Sequence, residues 1–402
     1  MPDTRCDPYQ VETALVSTLE RKKYAMHVTR RSFLTSLAAT HLLFSKTARA
    51  FDSGRPLVGA IRWDAWYAPG SGPTSAVEKS LGPPQYRWRF PFFAEVKAEA
   101  ATPIQLPKGS QALMDLEIRQ ATYAGLDYWA FVGYEPNNPM SAGLTLYLNS
   151  QENHAIKFCF FTELVRFGDS KQFSELVDEH IKLMSHPNYV RTPDGRPLYY
   201  LGFIDNRTVN SRWGSVEGLR RGILGFRRKT FAAVGKDPYI AICGPFAEFR
   251  EWSSTGGDAI SAYSIGDPRA IGAYSALANI VEERWVSFTS AGLPVIPTAM
   301  AGLDRRPRVE HPVPWEPYQK PGEGIAYHYE SSNPEELARH VERALGFAVK
   351  QSAPAVLIYA WNENDEGGWL VPTLPCETKR IVSLHRVLTP NGQVPNPGCK
   401  FD

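Results

Sequence analysis

Eight short apolar runs, separated by segments of helical length and periodicity, constrain this chain more than any other feature. The runs cover 57–63, 128–133, 156–162, 198–203, 239–244, 259–263, 295–299 and 356–361. Each is rich in β-branched or aromatic residues and too short for a buried helix. Between them, apolar residues recur at helical spacing over 114–124, 173–184, 216–234, 275–291 and 334–351. The last of these opens on Ser332-Asn333-Pro334-Glu335, with a capping residue, a proline in the first turn and acids near the start. Asp194-Gly195 marks a turn before the fourth run. Eightfold strand–helix alternation predicts an α/β fold, a (β/α)8 TIM barrel forming a single domain. Segment 303–333 is rich in Pro, Arg and Glu and has no periodicity. It predicts a long loop after strand seven, bordering the active face.

The N-terminus reads as an address rather than as part of the fold. Thr29-Arg30-Arg31-Ser32-Phe33-Leu34 carries a twin-arginine pair, followed by an apolar segment at 33–44 and the small-x-small site Ala48-Arg49-Ala50. In that order these are the parts of a twin-arginine signal peptide. Cleavage is expected after Ala50, giving a domain over 51–402. Met26 lies four residues before Arg30, so residues 1–25 read as an upstream extension of the gene and Met26 as the start. The expected location is periplasmic or secreted, and the expected partners are the twin-arginine export machinery and a carbohydrate.

Removing residues 1–50 takes away eight Lys/Arg and four Asp/Glu. The 44 basic and 42 acidic residues of the whole chain become 36 and 38, a net charge of −2. No basic field remains to attract nucleic acid or anionic membrane, and no later run is long enough to anchor the chain in a bilayer. Of the cysteines beyond the leader, Cys159 and Cys243 lie in apolar runs and read as buried thiols. Cys376 and Cys399 can staple the C-terminal tail in an oxidising compartment. There is no CxxC and no Cys/His cluster at metal spacing, so neither metal nor cofactor is expected.

The chemistry is expected at the C-terminal ends of the strands, where barrels of this class place it. Those ends carry Trp63, Asp64, Trp66 and Tyr67 after strand one, then Tyr134 and Glu135, Glu163, Asp205, Tyr263, and Asp304 after strand seven. Strand eight delivers Trp361-Asn362-Glu363-Asn364-Asp365-Glu366-Gly367-Gly368-Trp369. Acids and aromatic rings on one rim suit a sugar, whose CH faces pack on rings and whose hydroxyls bond carboxylates and amides. Glu363 and Glu366 are the expected catalytic pair. Residues three apart face the same way if the chain turns helically, which points Asp365 elsewhere, as a structural or solvated residue. Glycines 367 and 368 are expected to leave room for a ligand. Taken singly, Trp63, Trp66 or Trp361 is a packing residue under a loop as readily as a sugar platform. Glu163 or Asp205 taken singly is equally a cap or an ion-pair partner. The paired glutamates beside indoles are costly without a task. They are expected to project into an open hollow walled by indoles.

These motifs resemble glycoside hydrolase family 99 (endo-α-mannosidases and endomannanases) and the wider WbsX-type family. The family's Asn-Glu-Trp-x-Glu-Gly after the last strand is similar to Asn362-Glu363-Asn364-Asp365-Glu366-Gly367 here. Ala124-Gly125-Leu126-Asp127, the stretch 190–198 and Gly302-Leu303-Asp304-Arg305-Arg306-Pro307-Arg308 also match, in the same order. The resemblance implies a (β/α)8 barrel, with Glu366 as general acid/base at the glycosidic oxygen. It makes Glu363 the base that activates the sugar 2-hydroxyl, with retention through an anhydro-sugar. It places Asp304 and Arg308 near the substrate cleft. Two positions depart from the pattern: the signature Trp is Asn364, and a later family acid is Val371.

The expected function is an exported glycoside hydrolase acting on a polysaccharide, α-mannoside-like substrates among the candidates. It would work by two carboxylates, with retention. Two alternatives stay open: a carbohydrate-binding barrel without turnover, and a transferase that modifies envelope glycans. No GxSxG, HExxH or nucleotide-phosphate loop supports other chemistries.

Overall fold

The computed structural model describes residues 54–96, 104–245, 249–390, 392 and 394–401. The predicted leader, its cleavage point and the start at Met26 lie outside the described residues. Eight parallel strands form the centre: β1 Leu57–Arg62, β2 Tyr128–Val132, β3 Lys157–Glu163, β4 Leu198–Gly202, β5 Tyr239–Cys243, β6 Ala259–Ser261, β7 Thr298–Met300 and β8 Ala355–Tyr359. Each pairs with its neighbour in sequence, and β8 also pairs with β1 through Leu57↔Ala355 to Ala60↔Ile358. The ring closes between β6 and β7 through Ile260 and Val295, where the Ile296 amide donates to the Ile260 carbonyl at 2.9 Å. The expected TIM barrel is therefore the observed fold. Strands β1, β2, β4 and β8 are buried along their whole length, as a parallel sheet covered on its outer face by helices requires.

Nine α-helices of five or more residues surround the barrel among the described residues: α1 Gly72–Leu81, α2 Gln111–Ala124, α3 Ala142–Asn149, α4 Glu175–Leu183, α5 Val216–Val234, α6 Tyr274–Phe288, α7 Arg306–Glu310, α8 Pro334–Lys350 and α9 Lys379–Leu388. In α8 the Asn333 side chain accepts from the Glu336 amide at 2.8 Å, and the Glu336 carboxylate accepts from the Asn333 amide at 2.9 Å. This reciprocal cap satisfies donors that the first turn leaves free. Leu337, Val341, Ala344 and Ala348 then form the buried stripe. No helix of the described residues is long and apolar enough to cross a membrane.

Two expectations shift. The seventh strand starts at Thr298 rather than 295, because Pro294 and Pro297 lack an amide to donate to a ladder. Segment 303–333 is not featureless: it holds α7 and a two-residue strand, His328–Tyr329, paired with Ile271–Gly272. Inside the barrel, a Cβ on Gly59 would lie 2.3 Å from the Tyr128 ring. The absent side chain lets Tyr128 cross the interior to the Tyr200 hydroxyl at 2.7 Å and the Val356 carbonyl at 3.0 Å. The barrel floor is filled, so a ligand can enter only from an end.

Candidate active site

After β8 the chain folds back on itself. Asn362–Glu363 and Gly368–Trp369 pair antiparallel, joined by one tight turn over Asn364–Glu366. Gly367 closes the turn at φ 87°, in the left-handed region. A Cβ there would lie 2.4 Å from the Asp304 backbone nitrogen, which donates to the Glu366 carbonyl at 2.7 Å. A Cβ on Gly368 would meet the Tyr359 ring at 2.4 Å. The glycines therefore make room for protein rather than for a ligand, a correction to the sequence expectation.

The turn carries Glu363 and Glu366 to the same guanidinium, that of Arg308 on α7. Arg308 donates through Nη1 to Glu366 and through Nη2 to Glu363 at 3.3 Å. It also grips Asp365 through Nε at 2.7 Å and Nη2 at 3.1 Å, and lies 3.4 Å from Glu316. Asp365 is fully buried, which settles its structural role. Tyr263 donates its hydroxyl to Glu363, and Tyr359 donates to Glu366. Arg305 adds a second cation 3.5 Å from Glu366. The rings of Trp63 and Trp315 lie over Arg308 at 5.2 and 5.6 Å and meet edge to face at 5.4 Å.

Burial and the charge of Glu366 push the Glu363 carboxyl up to about 8. Burial acts the same way on Glu366, but Arg308, Arg305 and the Tyr359 hydroxyl outweigh it and hold that carboxyl below its usual range. Near neutral pH Glu363 keeps its proton and Glu366 is charged. Environments that drive two neighbouring carboxyls apart in this way mark acid and base partners in hydrolases. The expected open hollow is not there. Glu363 is only 3% exposed, and Arg308 with its two indoles covers the pair. A cavity of about 410 Å³ lies elsewhere, between the loops after β1 and β2, lined by Tyr67, Lys108, Asn137 and Pro139 among others.

The remaining expected site residues divide. Tyr134 stands beside the pair, accepting from the Trp63 indole at 2.9 Å. Glu163 stays at the rim, its carboxyl raised by burial and 3.6 Å from Arg166. Asp304 lies just behind the turn, where Arg89 and Arg306 hold it; burial raises its carboxyl, but these cations bring it below the usual range. The others are not brought to the cleft. Asp205 caps a short turn, accepting from the Thr208 amide at 2.8 Å. Trp369 packs on Arg380 at 4.0 Å. Asn362 accepts from the Trp63 amide at 2.8 Å, donates to Asp64 at 2.9 Å, and takes the Trp66 indole on its carbonyl at 2.9 Å. Asp64 and Tyr67 join Arg62 and Glu117 in a buried network, and fully buried Trp361 donates to Glu117 at 3.2 Å. These residues support the turn from below. Each has a partner in the fold that a one-dimensional pattern cannot reveal.

Four contributors were missed: Tyr359, Arg305, Glu316 and Trp315. The last three lie in the loop expected to border the active face, and Tyr359 reads as an ordinary strand residue. Asn364, the departure from the signature Trp, is buried and donates to the Arg89 carbonyl at 2.7 Å. Val371, the second departure, is also buried. Among the described residues no group of three or more His, Cys, Asp or Glu is arranged to hold a metal ion.

No protein-family model matches this chain, and no curated protein matches it. Solved structures do. The chain is similar to the family 99 endo-α-mannosidase of Bacteroides thetaiotaomicron bound to bis-tris-propane, at 13% identity and TM-score 0.51, covering 83% of this chain and 95% of that one. Another structure of an endo-α-mannosidase from that organism aligns at 13% and TM-score 0.46, over 82% and 95%. A family 17 β-1,3-glucanosyltransferase from Rhizomucor miehei aligns at 11% and TM-score 0.38, over 64% and 86%. At 13% identity the first likeness shows the fold: this chain is a (β/α)8 barrel, as that structure is.

Proposed function

We propose that this protein is a retaining glycoside hydrolase that cleaves a polysaccharide or glycan, α-mannosides first among the candidates, with Glu363 and Glu366 as its working pair. The supporting observation is the split pair: a proton-bearing carboxyl and a charged one on a single turn, sharing one guanidinium. Close carboxyl pairs, about 5 Å apart, belong to retaining enzymes. The resemblance assigns proton donation to Glu366. The resting protonation favours the reverse, with Glu363 giving its proton to the glycosidic oxygen and Glu366 supplying negative charge at the sugar. For a sugar to reach the pair, the indole cover of Trp63 and Trp315 must open while Arg308 stays on Glu366, whose charge depends on it. We also propose that the chain is exported through the twin-arginine route, with mature protein beginning at Phe51; N-terminal sequencing of exported protein tests this.

Two variants and two substrates test the catalytic roles. Glu363→Gln and Glu366→Gln should each lower hydrolysis of an unactivated glycan by about 10²–10⁴-fold while glycan binding persists. On a dinitrophenyl glycoside, whose leaving group needs no proton, Glu363→Gln should recover activity and Glu366→Gln should not. Recovery by Glu366→Gln alone would restore the assignment implied by the resemblance. Binding without turnover by the unaltered protein, across α-linked glycans, would favour the non-catalytic alternative. With Glu363 as donor, kcat/KM should fall as pH rises through about 8.

A further inference from the structure

Phe203 follows β4 at the end of the barrel where Glu363 lies, and its backbone is strained. Its φ is 53°, a left-handed conformation that a bulky side chain rarely adopts. The ring is 47% exposed, so core burial does not offset the strain. Both neighbours are held. A Cβ on Gly202 would lie 2.0 Å from the Phe161 ring, so that residue admits Phe161 beneath it. Ile204 is buried, with its amide on the Cys243 carbonyl at 3.2 Å, and Asp205 caps the next turn. Between these fixed points the chain turns outward, and glycine would make the same turn without strain.

The exposed ring is positioned, not loose. It tilts against Tyr263 at 5.0 Å and meets Phe161 at 6.0 Å. Tyr263 in turn donates its hydroxyl to Glu363. One aromatic ring therefore separates an open, rigidly placed phenyl face from the proton-bearing acid. We propose that Phe203 is a stacking platform for the CH face of a pyranose ring, the sugar next to the one whose bond is cleaved. This rests on the hydrolase reading for its position along the glycan, but not for the binding itself. Strained residues cluster at ligand clamps, and a flat apolar face beside a few polar groups is how such sites take a sugar.

The test compares wild type, Phe203→Gly and Phe203→Trp. The probes are tetrasaccharides of α-linked mannose, α-linked glucose and β-linked glucose, and the readouts are titration calorimetry, hydrolysis kinetics and melting temperature. Phe203→Gly should melt no lower than wild type, yet bind the accepted tetrasaccharide roughly tenfold more weakly, the size of an aromatic stacking contact. Its KM should rise by the same factor with kcat little changed, and Phe203→Trp should keep the affinity. Equal affinity of wild type and Phe203→Gly overturns the platform, as does binding of none of the three sugars by wild type. If wild type binds a sugar but cleaves none, the hydrolase reading fails, and the binding comparison alone decides the platform.

Discussion

Arg308 shows how one side chain sets the chemistry of its surroundings. Four carboxylates converge on it, and a buried guanidinium with hydrogen-bonded partners keeps its charge. Too little positive charge is present to ionise them all, so Glu363, more buried than Glu366, holds its proton. This has a consequence for stability. An unfolded glutamate titrates near 4.3, whereas folded Glu363 titrates at about 8. A raised carboxyl contributes stability fully present below the unfolded value and lost as pH rises through the folded one. Glu363→Gln cannot ionise. It should match wild type at pH 4 and exceed it at pH 9 by on the order of 5 kcal/mol. Urea unfolding at the two pH values measures this, and an equal difference at both would contradict a buried neutral Glu363. The residue types were legible in the sequence. Which acid keeps the proton was not, because that depends on two arginines brought in from a loop more than fifty positions away.

At the scale of an element, the turn after β8 works because two glycines let it sit against the backbone after β7. Gly302 and Gly367 approach so closely that a Cβ on either would collide with the other strand's backbone: 2.2 Å from the Gly367 carbonyl oxygen in one case, 2.4 Å from the Asp304 nitrogen in the other. Gly367→Ala adds left-handed strain to that clash. It should cost about 1–3 kcal/mol and lower activity further than stability, because Glu366 is its neighbour. Circular dichroism against urea, alongside hydrolysis, separates the two effects. The i, i+3 spacing of the glutamates was readable as a shared direction. The intervening Asp365 was not readable as the deepest anchor, since its partner Arg308 belongs to a segment without periodicity.

At the scale of the whole molecule, the C-terminal tail braces the ring. α9 packs against α2 and α8, Arg380 donates to the Trp369 carbonyl at 2.7 Å and to the Ala301 carbonyl at 3.2 Å, and Cys376 is bonded to Cys399, 23 residues on. Gln120 of α2 holds the Gly398 carbonyl at 2.7 Å. Closing a loop of that length contributes about 3 kcal/mol through the unfolded chain. Replacing both cysteines by serine should lower the unfolding free energy by about that amount and leave hydrolysis near wild type. Loss of activity without loss of stability would mean the tail shapes the site directly. Eight strand periods, a capped helix before the last strand and two acids three apart were determined by the sequence alone, because alternation and spacing are local properties of a chain. The tertiary structure alone decided which of fifteen expected site residues meet. Burial, shared cations and the backbone contacts that seat the turn depend on residues brought together from β1, β8 and the loop after β7.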